Sequence, residues 1–291
     1  MATRVVIHVD DVGVCHGSNT AFVELRRAGH VSSGSVMVPC PWSSEALELA
    51  AAEPRLDVGV HLTLTSEHRH YRWGPVSAGG RVGGLVDDSG SMWRKVAHVR
   101  ENADPDAVVD EWRSQIDMAI DAGVDVTHLD THMGSAFAPE WSEHYVALGV
   151  EYGIPVLMTR TIGGYGVARH LPDVTEAEHR RAVDCAVEAG MPIADLVIET
   201  DFTRPVGAPL DLVAVLRGAV DSGKELVFLA LHPCHPGEIE SIDPGRSHVR
   251  TDEVTALMHP SWSSTLAELG TSGLVEVVGM ADLRATFSAG L

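Results

Sequence analysis

No apolar run in this chain approaches the roughly 20 residues that a membrane-crossing helix needs, so nothing in the sequence reads as a helical span. Positive charge is also scarce. Lys and Arg total 21 against 41 Asp and Glu, a formal net charge of −20. Such a field repels a phosphate backbone, and with no long basic run the sequence argues against a nucleic-acid partner. The short Arg180-Arg181 pair falls in a helix-like stretch and reads as a solvated face. Cysteine is limited to Cys15, Cys40, Cys185 and Cys234, too far apart for a zinc-finger pattern and without a Cys-x-x-Cys pair. Reduced thiols are the default, with Cys40 and Cys234 following strand-like runs. The N-terminus enters a strand pattern within its first residues and lacks a signal-peptide layout, so the expected location is cytoplasmic.

What is present supports a sizeable core: 45% of residues are apolar and 21% charged. Short apolar runs read as buried strands near 4–9, 35–38, 57–62, 125–129, 154–158, 195–198, 226–231 and 275–278, alternating with helical-period segments. Asp104-Pro105 and Gly123 bracket one helix as cap, first turn and stop, and Pro139, Pro209 and Gly223 suggest similar boundaries. Nearly continuous apolar strands alternating with helices predict an α/β fold with a parallel sheet, a TIM-like, somewhat irregular (β/α) barrel filling one domain over 1–291. The large departure is 63–104, a long insertion after the third strand, expected to be a lid or substrate wall. His68 and His70 within it are expected to face solvent.

The most telling segment is Arg4 to Gly13, where an apolar run ends in Asp10-Asp11 and a glycine. Neighbouring side chains of an extended chain point apart, so one carboxylate could ligate a metal while the other handles a proton. Two further strand-like runs end in His61 and His128. Asp11, His61 and His128 would form a divalent-metal site, for Zn²⁺ or a similar ion, with positions left for water and a substrate oxygen. In Thr127 to Gly134, alternation sets 128, 130 and 132 on one face, with Asp130 suited to orient a histidine and His132 placed to support the site or meet substrate. His232, just past a buried strand and stiffened by two prolines, could protonate a leaving nitrogen, with His235 its competitor. Arg160 follows the fifth strand at the same rim, and Trp73 in the insertion could stack on a sugar ring.

These segments resemble the YdjC-like carbohydrate deacetylases, the group that contains the chitooligosaccharide deacetylases. The match carries Asp10-Asp11-x-Gly, the helix start around Gly17 and Asn19, Asp57 to Leu64, Thr127 to His132, and His232-Pro, in order over nearly the whole chain. Val12 and Met133-Gly134 depart from the family pattern, which bears on the sugar more than on the chemistry. The resemblance implies a barrel-like fold and removal of N-acetyl groups from amino sugars or short oligosaccharides. One divalent ion, Zn²⁺ or Mg²⁺, would sit on Asp11, His61 and His128, with Asp10 as base and His232 as acid. A homodimer is among the assemblies this allows. The rival readings are a metal-dependent phosphoesterase and a non-catalytic carbohydrate-binding barrel.

Overall fold

A computed structural model describes residues 2–77, 83–165 and 170–288. Residues 78–82 of the insertion therefore lie outside the description. The strands are β1 (Thr3–Val12), β2 (Ser33–Val36), β3 (Val58–Leu62), β4 (Leu129–Thr131), β5 (Leu196–Glu199), β6 (Leu226–Leu231) and β7 (Val275–Val277). The helices are α1 (His16–Arg27), α2 (Ser43–Ala52), α3 (Val96–Asn102), α4 (Pro105–Asp121), α5 (Ser142–Tyr152), α6 (Glu176–Glu188), α7 (Leu212–Asp221), α8 (Ile239–Ile242), α9 (Ser247–Met258), α10 (Pro260–Thr271) and α11 (Met280–Ser288).

All strand pairs are parallel, in the order β4-β3-β2-β1-β6-β5, with β7 against the start of β1. The sheet curls into a half-barrel and is not a closed TIM barrel. The run 154–158, expected as a strand, contributes only single bridges, Leu129 to Val156, while Thr159 bridges to Ala194 beyond it. Those two bridges are the strand pairing across the gap from β4 to β5 among the described residues.

Local signals account for several boundaries. Asp104 caps α4 by accepting from the Asp106 amide at 3.0 Å, with Pro105 in the first turn where it loses no helical hydrogen bond. Thr175 and Glu178 form a reciprocal capping box at the start of α6. By contrast α7 is capped by Asp211, which accepts from the Ala214 amide at 2.9 Å, and does not begin at Pro209.

One large hydrophobic cluster joins strands and helices, built around Val5, Ile7, Val60, Trp112, Trp141 and Leu229. A smaller one packs Trp73 and Met92 of the insertion against Val14, Cys15, Cys40 and Cys234. The insertion is thus anchored by its own apolar contacts. No described helix is long and apolar enough to cross a membrane.

Candidate active site

β1 breaks step at its end. Its pairing with β2 shifts between Val9 and Val12, and Asp11 adopts a left-handed backbone with φ of 59°. Aspartate tolerates that region better than most side chains. The break cancels the alternation expected of adjacent residues, so Asp10 and Asp11 both reach one cavity of about 370 Å³ at the C-terminal ends of the strands. His61, His132 and His232 share its wall, as do Tyr165 and Phe202.

Asp11 Oδ1 lies 3.4 Å from His61 Nε2 and 3.2 Å from His132 Nδ1. It makes no hydrogen bond of its own although it is buried. Its other oxygen accepts a 2.7 Å bond from Arg250 Nη2. One donor atom from each of Asp11, His61 and His132 falls within 4.8 Å of the others. Ligands at roughly 2.0 to 2.2 Å from one ion lie about 3 to 4 Å apart, so the set fits a single cation with modest closing. Burial opposes the Asp11 charge, but Arg250 and His132 outweigh it and hold its carboxyl well below the usual range. Burial likewise opposes charged rings at His61 and His132. The surrounding carboxylates nevertheless raise His61 well above its ordinary value and hold His132 at about 9. The negative field that draws protons here would also draw a cation.

This differs from the expected triad, because His128 is not at the cavity. His61 and Asp130 are register partners on β3 and β4. Two residues of strand amount to about 7 Å, so His128 sits one layer deeper than Asp130. Fully buried, it bonds Thr127 Oγ1 at 2.9 Å and meets the His8 ring edge-on at 4.8 Å. Burial, reinforced by His8, lowers it to about 3 and keeps it neutral. Alternation correctly groups 128, 130 and 132 on one face, but only the register against β3 shows which of them reaches the rim.

Asp130 lies behind His61. Its Oδ1 accepts from His61 Nδ1 at 2.8 Å and its Oδ2 from the Ser35 hydroxyl at 2.8 Å. His8, one layer below Asp10, lies 3.1 Å from Asp130 and 3.3 Å from Asp10 and hydrogen-bonds Ser33 and Ser35. Burial pushes Asp10 well above the usual carboxylate range, with Asp130 and Asp11 adding to it against His61. Its Oδ2 lies 3.6 Å from His232 Nε2.

His232 faces the cavity, whereas His235 does not and instead pairs with Glu24 at 2.9 Å. The His232 amide donates to Glu253 at 2.5 Å, and its ring meets Phe202 edge-on at 4.7 Å. Burial holds His232 near 3 and so neutral. Two other candidates lie elsewhere. Arg160 is exposed and pairs with Asp195 at 3.2 Å. Trp73 is 4% exposed, donates to the Thr65 carbonyl and packs inside the insertion, so it offers no face to a sugar. His68, expected in solvent, is buried edge-on against Trp73.

The sequence reading missed Arg250, Glu67, Phe202 and Tyr165 on the cavity wall and Glu253 behind His232. Each belongs to a helix or loop whose local pattern says nothing about the cavity that it will meet.

A family model described as YdjC-like protein matches residues 4–268. A carbohydrate deacetylase of Thermoanaerobacter pseudethanolicus is 30% identical over 154 residues, 53% of this chain and 59% of that protein. Another from Thermus thermophilus is 32% identical over 162 residues, 56% of each. A third from Brevibacillus brevis is 33% identical over 153 residues, 53% of this chain and 58% of that one. The chain thus matches somewhat more than half the length of these relatives. A crystal structure from Enterococcus faecalis V583, described as a cellobiose-phosphate cleavage protein, covers 97% of this chain and 99% of its own, with a TM-score of 0.76 at 21% identity, a likeness of fold. With the family model running through both Asp10-Asp11 and His232, the chain belongs to the YdjC-like family.

Proposed function

We propose that this protein is a metal-dependent hydrolase that removes N-acetyl groups from amino sugars or short oligosaccharides. The observation that carries the reading is the convergence of Asp11 Oδ1, His61 Nε2 and His132 Nδ1 beside a second carboxylate, Asp10, at one cavity. The names of the relatives, carbohydrate deacetylases, point to the same substrate class. Two imidazoles and one carboxylate suit Zn²⁺ better than Mg²⁺, which favours oxygen donors. A divalent ion held there supplies Lewis acidity, acidifying water and polarising the acyl oxygen.

The chain's own groups handle the protons. Asp10, whose carboxyl burial pushes above the usual carboxylate range toward stronger basicity, takes the proton of the attacking water. His232 starts neutral and so cannot open the reaction as the acid. Its Nε2 lies 3.6 Å from Asp10 Oδ2, where a slight approach lets it accept a hydrogen bond from the protonated Asp10 and steer that proton from Asp10 to the departing amine. Phe202 and Glu253 fix the ring and the backbone of His232 while it does so.

A phosphoesterase would want free cations at the cavity. Here Arg250 is engaged with Asp11 and Arg246 with Asp243, while Glu67 and Asp201 add negative charge to the wall. The test is acetate release from N-acetylglucosamine oligomers before and after chelation, with metals added back. Activity is expected to disappear with chelator and return with zinc. Chelator-insensitive release would remove the metal, and sugar binding without release would favour a non-catalytic barrel.

A further inference from the structure

Both imidazoles facing Asp11 are held from behind by a carboxylate, in mirrored fashion. His61 gives Nδ1 to Asp130 at 2.8 Å and turns Nε2 toward Asp11. His132 instead touches Glu67 Oε2 through Nε2 at 3.2 Å and turns Nδ1 toward Asp11. An ionised carboxylate only accepts, so the nitrogen beside it carries the hydrogen, and in the neutral ring that a bound metal requires the opposite nitrogen keeps its lone pair.

The two carboxylates have different origins. Asp130 is a strand residue in register with His61, whereas Glu67 belongs to the insertion. Its backbone is pinned at several points. Arg94 Nη1 donates to the carbonyls of Glu67 at 3.1 Å and His68 at 2.5 Å, and Nη2 donates to Arg69 at 3.1 Å. The Ser66 amide donates to Trp93 at 2.8 Å, and the Ser66 hydroxyl accepts from the Trp73 amide at 3.0 Å. The second Glu67 oxygen lies 3.4 Å from buried His68. The carboxylate is thus engaged at both oxygens on a tethered segment.

We propose that Glu67 is a positioning residue of the cation site, fixing His132 in the tautomer whose Nδ1 lone pair faces Asp11. The insertion then builds part of the site in addition to bordering it. This rests on Asp11, His61 and His132 as ligands, and not on the identity of the substrate.

The test is zinc affinity of the full chain, measured by competition with a chromophoric chelator. Glu67→Gln keeps an acceptor oxygen and is expected to stay within about threefold of the unmodified protein. Glu67→Ala removes the acceptor and is expected to bind about 10- to 100-fold more weakly. Cobalt(II), substituted for zinc, should show altered absorption bands in the alanine variant alone. If Glu67→Ala does not fold, Glu67→Asp carries the same comparison, since its shorter arm withdraws the oxygen from Nε2. Unchanged zinc affinity and cobalt spectrum in the alanine variant overturn the role of Glu67. Failure of the unmodified chain to bind either metal overturns the ligand set itself, and with it this proposal.

Discussion

At the scale of single residues, the decisive feature is the left-handed backbone at Asp11, which turns two consecutive carboxylates into the same cavity with separate partners. Asp11 is neutralised by Arg250 and His132, whereas Asp10 has His232 at its outer oxygen and His8 at its inner one. Asp10→Asn preserves size and removes the proton acceptor. It is expected to keep zinc binding within a few-fold by calorimetry while kcat for acetate release falls by about 10²- to 10⁴-fold. A near-normal kcat would take the base role away from Asp10. The carboxylate pair, His61 and His232 were legible because each ends a recognisable apolar run. His132 could not be told from His128, because alternation is blind to how far up the sheet a residue stands. Arg250 lies on a helix distant in sequence, and no local pattern announces it.

At the scale of elements, strand positions and helix caps follow from short-range signals, and so most of the layout along the chain could be read in advance. Closure of the sheet could not, since it depends on how strands twist and stagger against one another. The stretch 154–158 has a strand's composition, but its neighbours leave it a single bridge to β4. The insertion was visible as a break in the alternation, but its anchoring through Trp73 and Arg94 was not. Packing between β3 and β4 yields a specific expectation. A Cβ on Gly59 would stand 2.5 Å from both the His128 ring and its carbonyl oxygen. The carbonyl belongs to the backbone and cannot step aside, so Gly59→Ala should cost about 1 to 3 kcal/mol by chemical denaturation. An unchanged denaturation midpoint would mean that these strands tolerate more separation than their hydrogen bonding indicates.

At the scale of the whole molecule, the excess of acid over base makes stability depend on how buried carboxylates titrate. Glu253 is fully buried. Burial raises it to about 7, against the lowering effects of Thr200, the His232 amide and nearby arginines. Unfolded, it would titrate near 4.5. Below that value both states hold the proton and the contribution is fully present. Between about 4.5 and 7 the folded state alone keeps it, and stability declines as pH rises through that window. Glu253→Gln has no such ionisation. Its stability relative to the unmodified protein should therefore climb across this range, by an amount on the order of 3 kcal/mol, in urea melts at several pH values. Parallel curves for the two proteins would contradict this.

The bond from Arg250 to Asp11 joins residues 239 positions apart in the chain. During synthesis from the N-terminus, Asp11 emerges well before its guanidinium partner. Until then His132 is the counter-charge that Asp11 has, and the guanidinium is still to come. A nascent chain can lay down β1 to β6 first, but the pocket is finished only once Arg250 has followed them.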